Sequence, residues 1–139
     1  MQGAGLCEKV IKLDRNIRFA GIVNGNGEVI EGGFQKGIRP LLNGTAEQQM
    51  YVQSLSNVMT LRQFSGSLGE FRYSVTEHDR VTLLTFPLGK DSILCVSASP
   101  RARTEKLRNK VLAFLKKKKD VSSGGSKPKR KGNGSRKNV

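Results

Sequence analysis

The residues able to do chemistry are few and scattered. His78 is the single histidine, and Cys7 and Cys95 are the only cysteines. A general base needs an orienting partner and a nucleophile within reach. His78 has neither signal, because it lies in the polar run Glu77-His78-Asp79-Arg80, which reads as an exposed turn. The two cysteines are far apart, follow no metal spacing and sit inside apolar patterns, so they read as buried, reduced thiols. Without a Cys/His/acid cluster no metal site is expected. Ser54, Ser56, Ser65, Ser67 and Ser74 fall on helix faces, turns or a strand exterior. Gly66-Ser67-Leu68-Gly69 is too short for a nucleophile elbow and precedes a strand. The run Gly25-Asn26-Gly27-Glu28-Val29-Ile30 lacks a third glycine and leads into a strand, whereas a phosphate is held at a helix start. The expectation is a protein without catalytic residues, cofactor or metal.

Charge is the second chemical resource, and it is concentrated at one end. Residues 101–139 hold 15 Lys and Arg against Glu105 and Asp120, while residues 1–100 hold 10 against 9 acids. A local excess of this size acts on polyanions. The expected contacts are Lys116, Lys117, Lys118 and Lys119, which extend the last helix, and Lys127, Lys129, Arg130, Lys131, Arg136 and Lys137 beyond it. Cations also suit the negative C-terminal end of a helix. The tail has no aromatic residue, so its binding should be electrostatic and blind to base sequence.

The elements that position these residues follow from periodicity. Leu6, Val10 and Leu13, with Cys7 and Ile11, have helical spacing. Ile17–Val23 and Glu28–Phe34 flank Asn24-Gly25-Asn26-Gly27 and read as a hairpin, with Gly32-Gly33 ending or bulging its second strand. Residues 36–44 form a loop. Thr45 and Gln48 have capping-box spacing at the start of a long helix through Phe64, which Gly66 and Gly69 close. Its stripe of Tyr51, Leu55 and Val58 is widened by Val52, Met59 and Leu61. Glu70–Thr76 alternates, with Phe71, Tyr73 and Val75 on one face and Arg72, Ser74 and Thr76 on the other. Val81–Phe86 reads as a central strand covered on more than one side, and Ser92–Ser97 as the next. A last helix begins near Ser99-Pro100 and aligns Leu107, Val111, Phe114 and Leu115.

A chain of 139 residues has room for one ordinary domain. The division is a folded domain over 1–118 and a disordered basic tail over 119–139, too poor in apolar residues to offset its ordering entropy. No stretch reads as a signal peptide or spans a bilayer, so a cytoplasmic protein is expected.

The order α-β-β-α-β-β-β-α from Leu6 to Leu115 resembles the Roadblock (dynein light-chain) family. That resemblance implies an α/β, profilin-like sandwich with a five-stranded antiparallel sheet and flanking helices. Separately, Ile17-Arg18-Phe19-Ala20-Gly21-Ile22, Lys36-Gly37-Ile38-Arg39-Pro40-Leu41-Leu42 and Leu83-Leu84-Thr85-Phe86-Pro87-Leu88 look like stretches of a small family of uncharacterised archaeal proteins. The Roadblock likeness implies a homodimer joined through the central helix and the strand after it, and a platform for small GTPases. The interface would then use Tyr51, Val52, Leu55, Met59, Arg72, Ser74 and Thr76. The resulting reading is a non-catalytic, dimeric interaction module tethered to a polyanion by its tail. Two rivals stand beside it: a nucleic-acid- or ribosome-associated protein whose tail is the functional element, and a small-ligand sensor.

Overall fold

The computed structural model describes residues 5–124, with the backbone alone from residue 119 onward. A short helix, α1 (Leu6–Ile11), leads into β1 (Ile17–Val23) and β2 (Val29–Phe34). Their turn is built as its residues require. The Asn24 carboxamide oxygen accepts from the backbone N–H of Asn26 at 2.9 Å and of Glu28 at 3.0 Å, and Gly27 takes φ 81°. Gly32-Gly33 does not end or bulge β2 as expected. The register slips one step earlier, between Ile22 and Val23, and leaves Ile30 over. Gly21 and Gly32 are cross-strand partners, and a Cβ on Gly32 would come within 3.0 Å of the Ala20 carbonyl oxygen and Gly21 Cα. Glycine here permits close backbone approach rather than a bend.

The central helix, α2 (Gly44–Arg62), starts one residue before Thr45. The expected Thr45–Gln48 box is not its cap. Asn43 caps it, accepting from Ala46 N–H at 2.8 Å, which satisfies one of the N–H groups a helix start leaves open. One turn of helix, α3 (Ser65–Leu68), follows before Gly69 redirects the chain at φ 88°.

Three strands complete the sheet: β3 (Ser74–Glu77), β4 (Thr82–Leu88) and β5 (Ser92–Ala98). All pairings are antiparallel and the order is β2-β1-β5-β4-β3. Residues 70–73 remain outside the ladder, so β3 is shorter than the alternation predicted. Phe71 consequently joins the cluster on one face of the sheet while Tyr73 and Val75 join the other, instead of all three sharing a face. Ser99-Pro100-Arg101-Ala102 is a turn closed by Ala102 N–H on the Ser99 carbonyl at 3.0 Å. The last helix, α4 (Thr104–Gly124), therefore starts later than expected. It also runs through residues 119–124, where the sequence reading begins the tail, because no Gly or Pro interrupts it before Gly124.

Strand alternation divides the core in two. On one face Ala20, Ile22, Leu84, Phe86, Leu94 and Val96 pack against Leu6, Cys7 and Val10 of α1 and Leu107 and Val111 of α4. On the other, Phe19, Val23, Ile93 and Cys95 pack against Tyr51, Leu55 and Val58 of α2. Full burial of a side chain such as Phe86 contributes about 1.5–3 kcal/mol before entropy is counted. The fold is thus an α/β sandwich with one antiparallel sheet between two helical layers.

Candidate functional site

Where α2 sits decides what remains open. The Phe19 ring folds back over Gly21, where a Cβ would come within 2.6 Å of it. That ring lies 4.8 Å from Phe34 and 5.9 Å from Tyr51, centroid to centroid. Gln48 donates to the Gly27 carbonyl at 2.6 Å, and Val52 lies against Gly27. At its other end Arg62 Nη1 donates to the carbonyls of Gly89 at 2.9 Å and Lys90 at 3.2 Å. These ties hold α2 over β1 and β5. Among the described residues no helix covers the same face of β4 and β3.

The result is a groove of about 520 Å³. Its wall is the α2 stripe Glu47, Met50, Ser54 and Asn57, at helical spacing. Its floor is Leu83 and Thr85 of β4 and Ser97 and Cys95 of β5, and its far side is Ser74 and Thr76 of β3. Exposed Leu41 and Leu42 border one end. The groove therefore offers apolar surface edged by hydroxyl and amide groups. Tyr51 donates its hydroxyl to Glu47 Oε2 at 2.8 Å, and burial, then this carboxylate, holds the phenol well above its usual range. Burial pushes the Cys95 thiol up to about 12. Neither group is ionised at neutral pH, so neither is a ready nucleophile.

Beyond the groove stands the outer edge of β3. Among the described residues β3 pairs only with β4. Its other side offers backbone N–H and C=O groups without ladder partners. The strand is anchored from behind: Arg108 Nη1 donates to the Tyr73 hydroxyl at 2.7 Å, and Thr104 Oγ1 donates to Glu77 Oε2 at 3.0 Å.

The expected interface residues separate into three groups. Tyr51 and Leu55 are buried in the chain's own core, and Met59 packs against that core. Val52 is 46% exposed but lies on the hairpin flank of α2, away from the groove. Ser74 and Thr76 line the groove, while Arg72 is exposed just before β3. Sequence reasoning missed Glu47, Met50 and Ser54 as the wall of a groove. Their spacing beside the core stripe was visible, but only the seat of α2 shows that this flank is open. His78 is exposed at the groove mouth, with its Nε2 3.1 Å from Thr76 Oγ1. Of the expected polyanion contacts, Lys116 and Lys117 are exposed and Lys118 is half-buried. The side chains of Lys119, Lys127, Lys129, Arg130, Lys131, Arg136 and Lys137 lie outside the described residues. Among the described residues no group of His, Cys, Asp and Glu is arranged to hold a metal, and no helix is long and apolar enough to cross a membrane.

Sheet order, helix placement and the α2–β3 flank together define a Roadblock-type, profilin-like fold. Solved structures share it at low sequence identity. A Roadblock/LC7 domain from Streptomyces avermitilis superposes with a TM-score of 0.61 at 18% identity, covering 84% of this chain and 94% of that one. The gliding protein MglB from Thermus thermophilus gives 0.62 at 15%, with 80% and 82% covered. An MglB described as having a tetrameric arrangement gives 0.63 at 16%, with 82% and 84% covered. The sequence itself matches a family model over residues 4–127, and the chain belongs to that family, the family of unknown function DUF6659. No curated protein matches the sequence.

Proposed function

We propose that the protein is a non-catalytic interaction module that self-associates through the α2–β3 flank. One observation carries this reading: an apolar groove lies beside a strand edge that has no partner among the described residues, on the side of the sheet that α2 leaves half covered. A second copy related by a two-fold axis supplies both missing parts, a strand for the edge and a helix for the groove. The tetrameric arrangement of one MglB of the same fold supports assembly as a use of this fold. The Roadblock likeness adds a small GTPase as the partner class, and the buried thiols accord with a cytoplasmic protein. The tail, with its excess of cations, completes the reading as a tether to a polyanion.

Sedimentation of the unmodified chain tests it. A dimer is expected at micromolar concentration. Asn57→Lys in the groove and Ser74→Lys on β3 each place like charges across the axis and should yield folded monomers. Val52→Lys, on the other flank of α2, should leave the dimer intact. A monomeric unmodified chain would sink the proposal.

The groove also favours a second reading, a small-ligand sensor, because its volume falls within the usual 300–1,000 Å³ of ligand pockets. A monomer whose melting temperature rises with a small apolar ligand, and stays unchanged by it in Asn57→Lys, would select that reading.

A further inference from the structure

The folded body has a charge asymmetry of its own, separate from the tail. Residues 5–16 and 101–118, which make the α1/α4 layer, carry eleven Lys and Arg against three acids. Residues 17–100, which make the sheet and the α2 layer, carry seven of each. All three acids of the α1/α4 layer are already answered within it. Glu8 faces Lys12 at 4.0 Å, Glu105 faces Arg108 at 3.7 Å, and Asp14 holds Lys110 at 2.9 Å. Lys9, Arg15, Arg101, Arg103 and Lys106 are exposed and in no ion pair among the described residues.

These cations are ordered, not scattered. Lys106, Lys110 and Lys117 recur at four and seven residues on one flank of α4, and Arg103 stands at the cap position just before its first residue. Lys110 fixes which flank it is, because its ammonium reaches Asp14 and the Leu13 carbonyl at the end of α1. The stripe therefore passes the end of α1, where Arg15 follows Asp14, and exposed Lys9 on α1 adds to the charge of the same layer. From Arg103 to Lys117 it spans about 21 Å at 1.5 Å per residue. One strand of a B-form duplex sets roughly six phosphates over that distance.

We infer that the α1/α4 seam is a docking surface for the phosphate backbone of duplex nucleic acid. This deepens the polyanion part of the proposed function by moving a site onto the folded body, and it does not depend on self-association. A duplex is favoured over a single strand because, among the described side chains, no large exposed apolar or aromatic one belongs to α1 or α4, so bases are offered no stacking platform there. The same absence disfavours a lipid surface, which an amphipathic helix holds by inserting apolar residues. Here Leu107 and Val111 face the sheet. The groove and β3 edge lie on the opposite face, so docking and assembly use separate surfaces.

The test uses full-length chains and fluorescence anisotropy with a mixed-sequence DNA duplex and an RNA duplex of equal length. One chain has Lys127, Lys129, Arg130, Lys131, Arg136 and Lys137 changed to Ser. It should still bind duplex, with affinity falling as salt rises from roughly 50 to 200 mM. Adding Lys9→Gln, Arg15→Gln, Arg103→Gln and Lys106→Gln should lower affinity at least about tenfold and reduce the log–log salt slope by about 0.9 for each phosphate no longer neutralised. Adding instead Lys36→Gln, Arg39→Gln, Arg80→Gln and Lys90→Gln removes the same charge from other elements and should change little. Equal losses in both sets would mean that net charge alone acts, and the seam is no site. Loss of all binding with the tail substitutions would confine the site to the tail. Binding to phosphatidylserine vesicles without binding to either duplex would replace nucleic acid with a membrane and overturn the inference.

Discussion

At the scale of residues, the two thiols are the clearest case of environment deciding chemistry. Burial pushes Cys7 up to about 12, with the Glu31 carboxylate adding to it, and burial does the same for Cys95. Both should resist a thiol reagent at pH 8 in the folded chain and react fully in denaturant; rapid labelling without denaturant would contradict the core described here. Their burial was legible from the apolar runs around them. The contact with Glu31 was not, since nothing in a strand sequence announces that its carboxylate will accept the Cys7 N–H at 2.9 Å. Asp14 is a second case. Burial opposes its ionisation, but the Asn16 N–H and the Lys110 ammonium outweigh that and hold its carboxyl below the usual value. A depressed carboxylate contributes stability above its unfolded pKa and loses it as pH falls through the folded one. Asp14→Asn should therefore cost about 1–2 kcal/mol at pH 7. In urea melts the gap to the unmodified chain should close as pH falls below the ordinary aspartate value of about 4.

At the scale of elements, β1 and β5 were readable because both their strand pattern and their partners are local or central. The start of α2 was misread because Thr45 and Gln48 have capping spacing but lie inside the helix, where Gln48 is drawn to the Gly27 carbonyl instead. Asn43→Ala should destabilise the fold by about 1 kcal/mol, whereas Thr45→Ala should cost little. Thermal melts of the two variants distinguish the caps, and equal losses would argue against the Asn43 assignment. Gly27 is another element-level requirement. It takes φ 81°, and an added Cβ would come within 2.7 Å of Val52 Cγ2. Gly27→Ala should cost about 1–2 kcal/mol from backbone conformation alone, with the Val52 contact adding to it, read as a lowered urea midpoint. The alternation of residues 70–76 showed an extended chain but not where pairing begins. Alternation reports faces, while ladder length depends on the partner, and β4 offers only Thr82–Thr85 to β3.

At the scale of the whole molecule, the sheet separates two surfaces. The face under α2 has the groove and the edge of β3, and the segments that form it with the sheet are neutral in sum. The α1/α4 layer carries the positive charge. The layered fold was legible because element order survives errors in element ends. The groove was not, because it depends on how far α2 is drawn toward β1 and β2 by Phe19, Phe34, Tyr51 and Gln48. Self-association is the central claim, and sedimentation alone would not locate the contact. Amide hydrogen exchange of residues 74–77, followed as protein concentration is raised, locates it directly. The N–H groups of β3 that face away from β4 should exchange fast in the dilute monomer and become protected as the dimer forms, with Ser74→Lys abolishing the change. Exchange at those positions that stays fast at every concentration, in a chain that nonetheless sediments as a dimer, would contradict an interface through the edge of β3.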